Sequence, residues 1–135
     1  MLAAAGGETV GHASVVVRRL LTDGGALRTG YVEAVATAAL HRRRGIASAV
    51  MAEVERLVAG GFELGALATS DQGAALYTVR GWTPWTGPTA GLTLDGVVEE
   101  TDAGVFVLPT SLTPRVWIMV GSQNATPYKP ITAEK

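Results

Sequence analysis

The 135-residue chain contains no cysteine and only two histidines, His12 and His41. Without cysteine, a disulfide framework, a thiolate zinc site and a cysteine nucleophile are all excluded. Two histidines cannot supply a multi-histidine metal cage, so no metal cofactor is expected. Any chemistry should therefore depend on other side chains and on backbone groups.

Charge is also scarce, since 17% of residues are charged and the formal net charge is −1. Binding nucleic acid through its phosphates needs a dense basic surface, so no nucleic-acid partner is expected. The longest stretch without Asp, Glu, Lys or Arg, residues 81–94, contains two prolines and three glycines. This composition excludes a membrane helix of about 20 apolar residues there. The start, Met1-Leu2-Ala3, lacks a basic region, so we predict no secretion signal and expect a cytoplasmic protein.

The length and the 47% hydrophobic content fit one compact domain. Composition changes near Arg115, because both lysines and the only asparagine follow it. Two interpretations of this change stay open: a polar surface tail, or a segment of different origin from a shifted frame or fusion. We predict a domain over residues 1–112 and an atypical tail over 113–135.

Hydrophobic periodicity alternates between the patterns of strands and helices along the chain. The predicted elements are strands over 8–21 and 26–37, a helix over 45–59, a strand over 62–69, a helix over 72–80, a bend leading into extended structure over 81–91, an acidic loop over 95–102 and a strand over 105–108. The first two strands should form a hairpin, and the strand over 62–69 should lie parallel to the second. A strand–helix–strand crossover after a hairpin indicates an α/β fold with a mixed sheet.

One junction carries a pattern suited to phosphate. Between the second strand and the first helix lie Arg42, Arg43, Arg44, Gly45, Ile46 and Ala47. A helix start presents unpaired N–H groups and a positive dipole end, glycine permits close backbone approach, and arginines add charge-assisted contacts. Taken alone, three arginines at a helix start more often form a solvated face.

The same residues resemble a known family. Residues 42–47 match Arg/Gln-x-x-Gly-x-Gly/Ala, the acetyl-CoA pyrophosphate loop of the GNAT N-acetyltransferase superfamily. Leu76-Tyr77-Thr78-Val79-Arg80-Gly81-Trp82 resembles that superfamily's second signature. The string Gly-Trp-x-Pro-Trp-x-Gly-Pro-Thr over residues 81–89 is similar more narrowly to aminoglycoside 2′-N-acetyltransferases. The resemblance covers roughly residues 5–112.

That resemblance implies acetyl-CoA as cosubstrate and a sheet that splays at its centre. The backbone of Val35, Ala36 and Thr37 would hold the pantetheine arm, with the Val35 N–H donating to the thioester carbonyl. Tyr77 would be the general acid facing the sulfur, although its structural alternative is an aromatic side chain that packs helix against sheet.

Glu33 is the second catalytic candidate. The resemblance implies that it holds the acceptor amine and helps to deprotonate it through water. An edge-exposed charge is the alternative, but a carboxylate in an apolar strand needs a partner. Strand alternation predicts that Glu33 and Val35 share a face. The resemblance further implies substrate contacts from Ala34 and Asp102, within an acidic stretch that could instead be a solvated face.

The sequence also departs from the family. We expect it to lack the strand and two helices that normally precede the hairpin, and Ala68 stands where relatives carry serine. The tail differs from the family's C-terminus. Three functions are therefore compared: aminoglycoside acetyl transfer, CoA binding without catalysis, and acetyl transfer to another small amine such as a polyamine. A homodimer is compatible with the resemblance.

Overall fold

The computed structural model describes residues 1–22, 25–38, 45–85, 89–100, 104–114 and 131–133. In these ranges the elements are β1 (Leu2–Ala5), β2 (Glu8–Thr22), β3 (Gly25–Thr37), α1 (Ile46–Gly61), β4 (Leu64–Ala68), α2 (Asp71–Val79), β5 (Thr83–Pro84), β6 (Thr89–Thr93), β7 (Gly96–Glu100), β8 (Val105–Pro109) and β9 (Ile131–Ala133). The strands join in one mixed sheet in the order β5-β8-β4-β3-β2-β9-β6-β7, and β1 pairs with β2.

The long β2–β3 hairpin forms the centre of the sheet. Its antiparallel register runs from Gly11 opposite Thr37 to Thr22 opposite Gly25. On the other side of β3, β4 pairs in parallel, and α1 makes the crossover between them. The predicted hairpin, parallel strand and α/β class are therefore confirmed.

Helix α1 packs closely on this centre. Its buried face consists of Val50, Met51, Val54 and Val58. The sequence predicts that Gly60-Gly61 stops the helix, but both glycines lie within its last turn, and Phe62 donates its N–H to the Val58 carbonyl. The helix continues because its main-chain hydrogen bonds and packing outweigh the low helix propensity of glycine.

The sheet separates two apolar clusters. The helix-side cluster lies between the sheet, α1 and α2, and the opposite-face cluster is built on Leu20, Leu27, Leu64, Ala66 and Val107. Alternation along the strands assigns side chains to these faces, because successive residues point to opposite sides of a sheet.

Two parts of the sheet differ from the sequence expectations. Part of the stretch expected as an acidic loop over 95–102 is strand β7, which pairs with β6 through a two-residue connection between Thr93 and Gly96. The Asp95-Gly96 turn and the β-branched Val97-Val98 pair favour a hairpin, and this local preference outweighs the run of acidic residues. Strand β1 was not predicted, and strand β9 brings residues 131–133 into the sheet between β2 and β6.

Candidate active site

A cleft opens where β3 and β4 separate. The parallel register between them ends with Val32 opposite Leu67, after which Ala68 of β4 pairs with Val105 of β8 while β3 continues to Thr37. The cleft has a volume of about 720 Å³. Its lining comprises residues 31–35 of β3, residues 67–70 at the end of β4, Arg18 of β2 and Tyr77 of α2. The expected central splay of the sheet is confirmed.

A β-bulge shapes the β3 wall of this cleft. Ser14 lies opposite Glu33 and His12 opposite Ala36, so that Ala34 and Val35 together oppose a single residue of β2. Ala34 has φ +53°, in the left-handed region that non-glycine residues rarely adopt. The His12 ring donates from Nδ1 to the Ala34 carbonyl oxygen at 2.9 Å.

This bulge corrects the expectation that Glu33 and Val35 share a face. Val35 packs against the helix-side cluster, together with Val32. Tyr31, two residues before Glu33, packs against the opposite-face cluster. The extra residue at Ala34 changes the two-residue alternation, so Val35 and Glu33 reach the cleft from opposite faces of the sheet.

Glu33 has a charged partner that sequence reasoning missed. Its carboxylate is paired with the Arg18 guanidinium, and the Arg18 side chain is only 11% exposed. The same guanidinium lies 4.7 Å from the centroid of the Tyr31 ring. Strand alternation on β2 and β3 could have placed the three side chains on one face, but the pairing register was needed to bring them together.

Tyr77 closes the helix side of the cleft. The residue is 6% exposed, and its ring lies 6.3 Å from that of Trp82 in a T-shaped contact and 6.2 Å from that of Phe106. Burial raises the pKa of the Tyr77 phenol above its ordinary value. The side chain packs helix against sheet, and the residue lines the cleft.

The start of α1 is the second part of the candidate site. Gly45 has φ +76° at the helix start, with no capping side chain and no acidic residue in the first turn. The first helical hydrogen bond runs from the Ala49 N–H to the Gly45 carbonyl, so the N–H groups of Ile46 and Ala47 precede that bond. Ile46 also packs its side chain on the helix-side cluster. A Cβ at Gly45 would meet no atom within 4 Å, so glycine is required there for its backbone conformation rather than for space within the chain.

The other residues singled out in the sequence lie on β3, on β4 or outside the described residues. Ala36 and Thr37 continue β3 beyond the residues that line the cleft. Arg42, Arg43, Arg44 and Asp102 lie outside the described residues. Ala68 lines the cleft.

Neither a metal centre nor a membrane helix emerges from the described ranges. Their His, Asp and Glu residues form no group of three or more that could hold a metal ion. Their helices are too short or too polar to cross a membrane.

Comparison with known proteins identifies the family. The acetyltransferase (GNAT) domain family matches residues 1–85, which is more than half of the chain. The chain belongs to the GNAT acetyltransferase family. This membership accounts for the splayed sheet.

Relatives of this GNAT domain include a curated protein and solved structures. An aminoglycoside 2′-N-acetyltransferase of Mycolicibacterium fortuitum is 50% identical over 108 residues, which cover 78% of this chain and 55% of that protein. The chain thus spans about half the length of this relative.

Eis1 of Mycobacterium abscessus shares the fold with a TM-score of 0.58 and 25% identity, over 66% of this chain and 23% of that one. A GCN5-related N-acetyltransferase of Kribbella flavida has a TM-score of 0.56 at 24% identity, over 63% of this chain and 21% of that one.

Proposed function

We propose that this GNAT domain transfers the acetyl group of acetyl-CoA to the 2′-amino group of aminoglycosides. The observation that carries the proposal is the cleft, which places Glu33, the Ala34 bulge and Tyr77 along one opening between β3 and β4. The 50% identity with a protein named for this activity supports the substrate class. The domain boundary after residue 112 and a cytoplasmic location remain predictions that accompany this proposal.

The residues present fit acetyl-CoA. A cleft of about 720 Å³ has room for a pantetheine arm, and the first turn of α1 can offer N–H groups to a pyrophosphate. Gly45, Ile46 and Ala47 would hold the pyrophosphate, and the backbone of β3 from Val35 to Thr37 would hold the arm. When bound, acetyl-CoA supplies an activated thioester.

Tyr77 would protonate the departing sulfur. A thiolate leaving group needs a proton donor, and general acids act best when they hold the proton at the working pH. Burial raises the pKa of Tyr77, so its Oη keeps its proton at neutral pH. The edge-on packing of Trp82 against the ring fixes its position at the cleft wall.

Glu33 would receive the acceptor amine. Aminoglycosides are polycations, and an ammonium group must lose a proton before its nitrogen can attack a carbonyl carbon. Glu33 lines the cleft, and its carboxylate is held by Arg18, which also lines the cleft. Through water, this carboxylate can accept the proton that the amine gives up.

Kanamycin B and kanamycin A provide a matched test, because the first carries a 2′-amine and the second a 2′-hydroxyl. Release of CoA thiol should require the chain, acetyl-CoA and kanamycin B, while kanamycin A should give only background. Equal rates with both, or transfer to spermidine alone, would contradict the substrate. Binding of CoA in a calorimeter without transfer to any amine would select the non-catalytic alternative.

A further inference from the structure

We infer that His12 is a positioning residue whose Nδ1–H fixes the Ala34–Val35 peptide so that the Val35 N–H faces the cleft. The inference rests on the proposed function for its catalytic meaning, because the Val35 N–H is the proposed donor to the thioester carbonyl. The contact that carries it is the 2.9 Å hydrogen bond from His12 to the Ala34 oxygen.

Ala34 needs such support. A left-handed conformation at a non-glycine residue costs free energy, and it persists only where the surroundings hold it. Ala34 adopts φ +53° inside a strand whose other residues continue the sheet. The bulge also interrupts the ladder between β2 and β3, so a side chain from the facing strand takes the place of a regular ladder contact.

The geometry of a trans peptide links this bond to the cleft. The carbonyl and the N–H of one peptide unit are coplanar and point in opposite directions. Because the Ala34 oxygen accepts from His12, the Val35 N–H of the same unit points away from His12. A carbonyl oxygen can only accept, so the Nδ1 atom of His12 carries the hydrogen.

The face on which His12 lies decides what the N–H points toward. His12 and Arg18 are six residues apart on β2, so both side chains lie on the sheet face that carries the Arg18–Glu33 pair. Ala13 is an odd number of residues from both His12 and Arg18, so its side chain lies on the other face. There it packs in the helix-side cluster with Tyr77. The Val35 N–H is thereby directed toward the side of the sheet that carries Tyr77. A hydrogen-bond donor and a proton donor then approach the cleft from the same side.

The test compares three substitutions at His12. Asn offers an N–H attached to Cγ, at the same bond separation as Nδ1, whereas Ala and Phe offer no donor and Phe keeps a ring. His12→Ala and His12→Phe should each lower kcat for acetyl transfer at least tenfold, with a smaller change in acetyl-CoA affinity. His12→Asn should keep kcat within about threefold of the original chain, because its amide can donate in place of Nδ1. The loss in the two donor-free variants can reach about 10²–10³ in rate, which is the cost of removing an oxyanion donor. Arg19→Ala, on the exposed part of β2, is the matched control and should leave kcat unchanged.

A second readout does not depend on activity. The nuclear magnetic resonance signals of the Ala34 and Val35 amides, and the interstrand contact between His12 and Ala36, report the bulge directly. Both should change in His12→Ala and His12→Phe and be retained in His12→Asn. Unchanged bulge signals in the donor-free variants, or equal impairment of His12→Asn and His12→Ala, would overturn the inference. If the original chain transfers no acetyl group at all, the proposed function fails while these signals still decide the role of His12.

Discussion

The left-handed backbone of Ala34 determines the sheet faces on which Glu33 and Val35 lie. With φ +53° at this residue, Val35 packs on the helix side while Glu33 stays beside Arg18 on the other side. A regular strand would place both side chains on one face of the sheet. The bulge therefore lets one strand serve both reactants of the proposed transfer.

Tyr77→Phe tests the proposed acid. The substitution keeps the ring contacts with Trp82 and Phe106 but removes the proton donor. We expect kcat to fall about 10²-fold or more, with acetyl-CoA affinity nearly unchanged, because general acid catalysis contributes about 10²–10⁴-fold. Steady-state kinetics together with calorimetry separates the two effects, and an equal loss of both would argue against the acid role.

The same variant reports the titration of Tyr77. Burial raises the pKa of this phenol in the folded chain, so the unfolded chain releases the proton first as the pH increases. The stabilisation is complete below the ordinary tyrosine pKa of about 10 and is lost as the pH rises through the folded-state value. Urea unfolding at pH 8 and pH 10.5 should show a smaller decrease for Tyr77→Phe than for the original chain. Parallel decreases would contradict the burial of the phenol.

Gly45→Ala tests the proposed pyrophosphate site at the start of α1, with Gly7→Ala as its matched control. Gly45 has φ +76° and Gly7 has φ +83°, and a Cβ at either position meets no atom within 4 Å. Both variants should lose about 1 kcal/mol of folding stability, because alanine is disfavoured at positive φ. Only Gly45→Ala should weaken CoA binding in a calorimeter, since the added methyl group would stand where the pyrophosphate approaches. Equal CoA affinities would contradict the assignment.

At the scale of elements, the close approach of α1 to the sheet positions the cleft. Gly30 of β3 and Gly65 of β4 are register partners, and Val58 of α1 lies against both of them. A Cβ at Gly65 would stand 2.9 Å from Val58 Cγ1 and 3.2 Å from the Trp82 ring. The absence of side chains at these two positions lets the helix sit low on the pair of strands that separates at the active site.

Gly65→Ala should therefore destabilise the fold. Overpacking of this kind costs about 1–3 kcal/mol. Gly60→Ala is the control within α1, because a Cβ there meets nothing within 4 Å and alanine favours the helix by up to about 1 kcal/mol. Urea unfolding should move the two variants in opposite directions, and a neutral Gly65→Ala would show that α1 can shift away from the sheet.

At the scale of the whole molecule, one sheet runs from β5 to β7 and joins the strands of the cleft, β3 and β4, to the β6–β7 hairpin. Strand β9 connects β2 with β6, so residues far apart in sequence hold the two parts of the sheet together. A ligand bound in the central cleft contacts strands on both sides of the splay. Its binding free energy should therefore appear as stability of the folded chain.

CoA at 100 times its dissociation constant should raise the stability by about 2.7 kcal/mol. For a domain of this size, that corresponds to an increase in Tm of roughly 10 °C. Differential scanning fluorimetry over a CoA series measures it, and Gly45→Ala should need higher CoA for the same shift. No shift at millimolar CoA would contradict acetyl-CoA as the cosubstrate.

Local sequence patterns were enough to predict the central elements of the fold and the family resemblance. Alternation over β2 and β3 and helical periodicity over α1 are local signals, and they predicted the hairpin, the crossover and the parallel strand. The two spaced motifs, through the family resemblance, indicated Glu33, Val35 and Tyr77, which line the cleft, but not Arg18. Tyr77, Glu33 and Gly45 could be singled out because each occupies a recognisable position in a short pattern. The acidic count over 95–102 misled the prediction, because the turn and the β-branched residues beside it formed strand β7.

Which side chains contact each other across the strands depends on the tertiary structure. His12 and Ala34 are 22 residues apart, and Arg18 and Glu33 are 15 residues apart, so only the register of β2 against β3 joins them. The bulge moves the Val35 side chain to the helix side of the sheet. It is visible in that register and not in the two-residue alternation of the sequence. Local propensity specifies whether a segment is a strand, whereas the direction of one peptide unit depends on the partner strand that holds it.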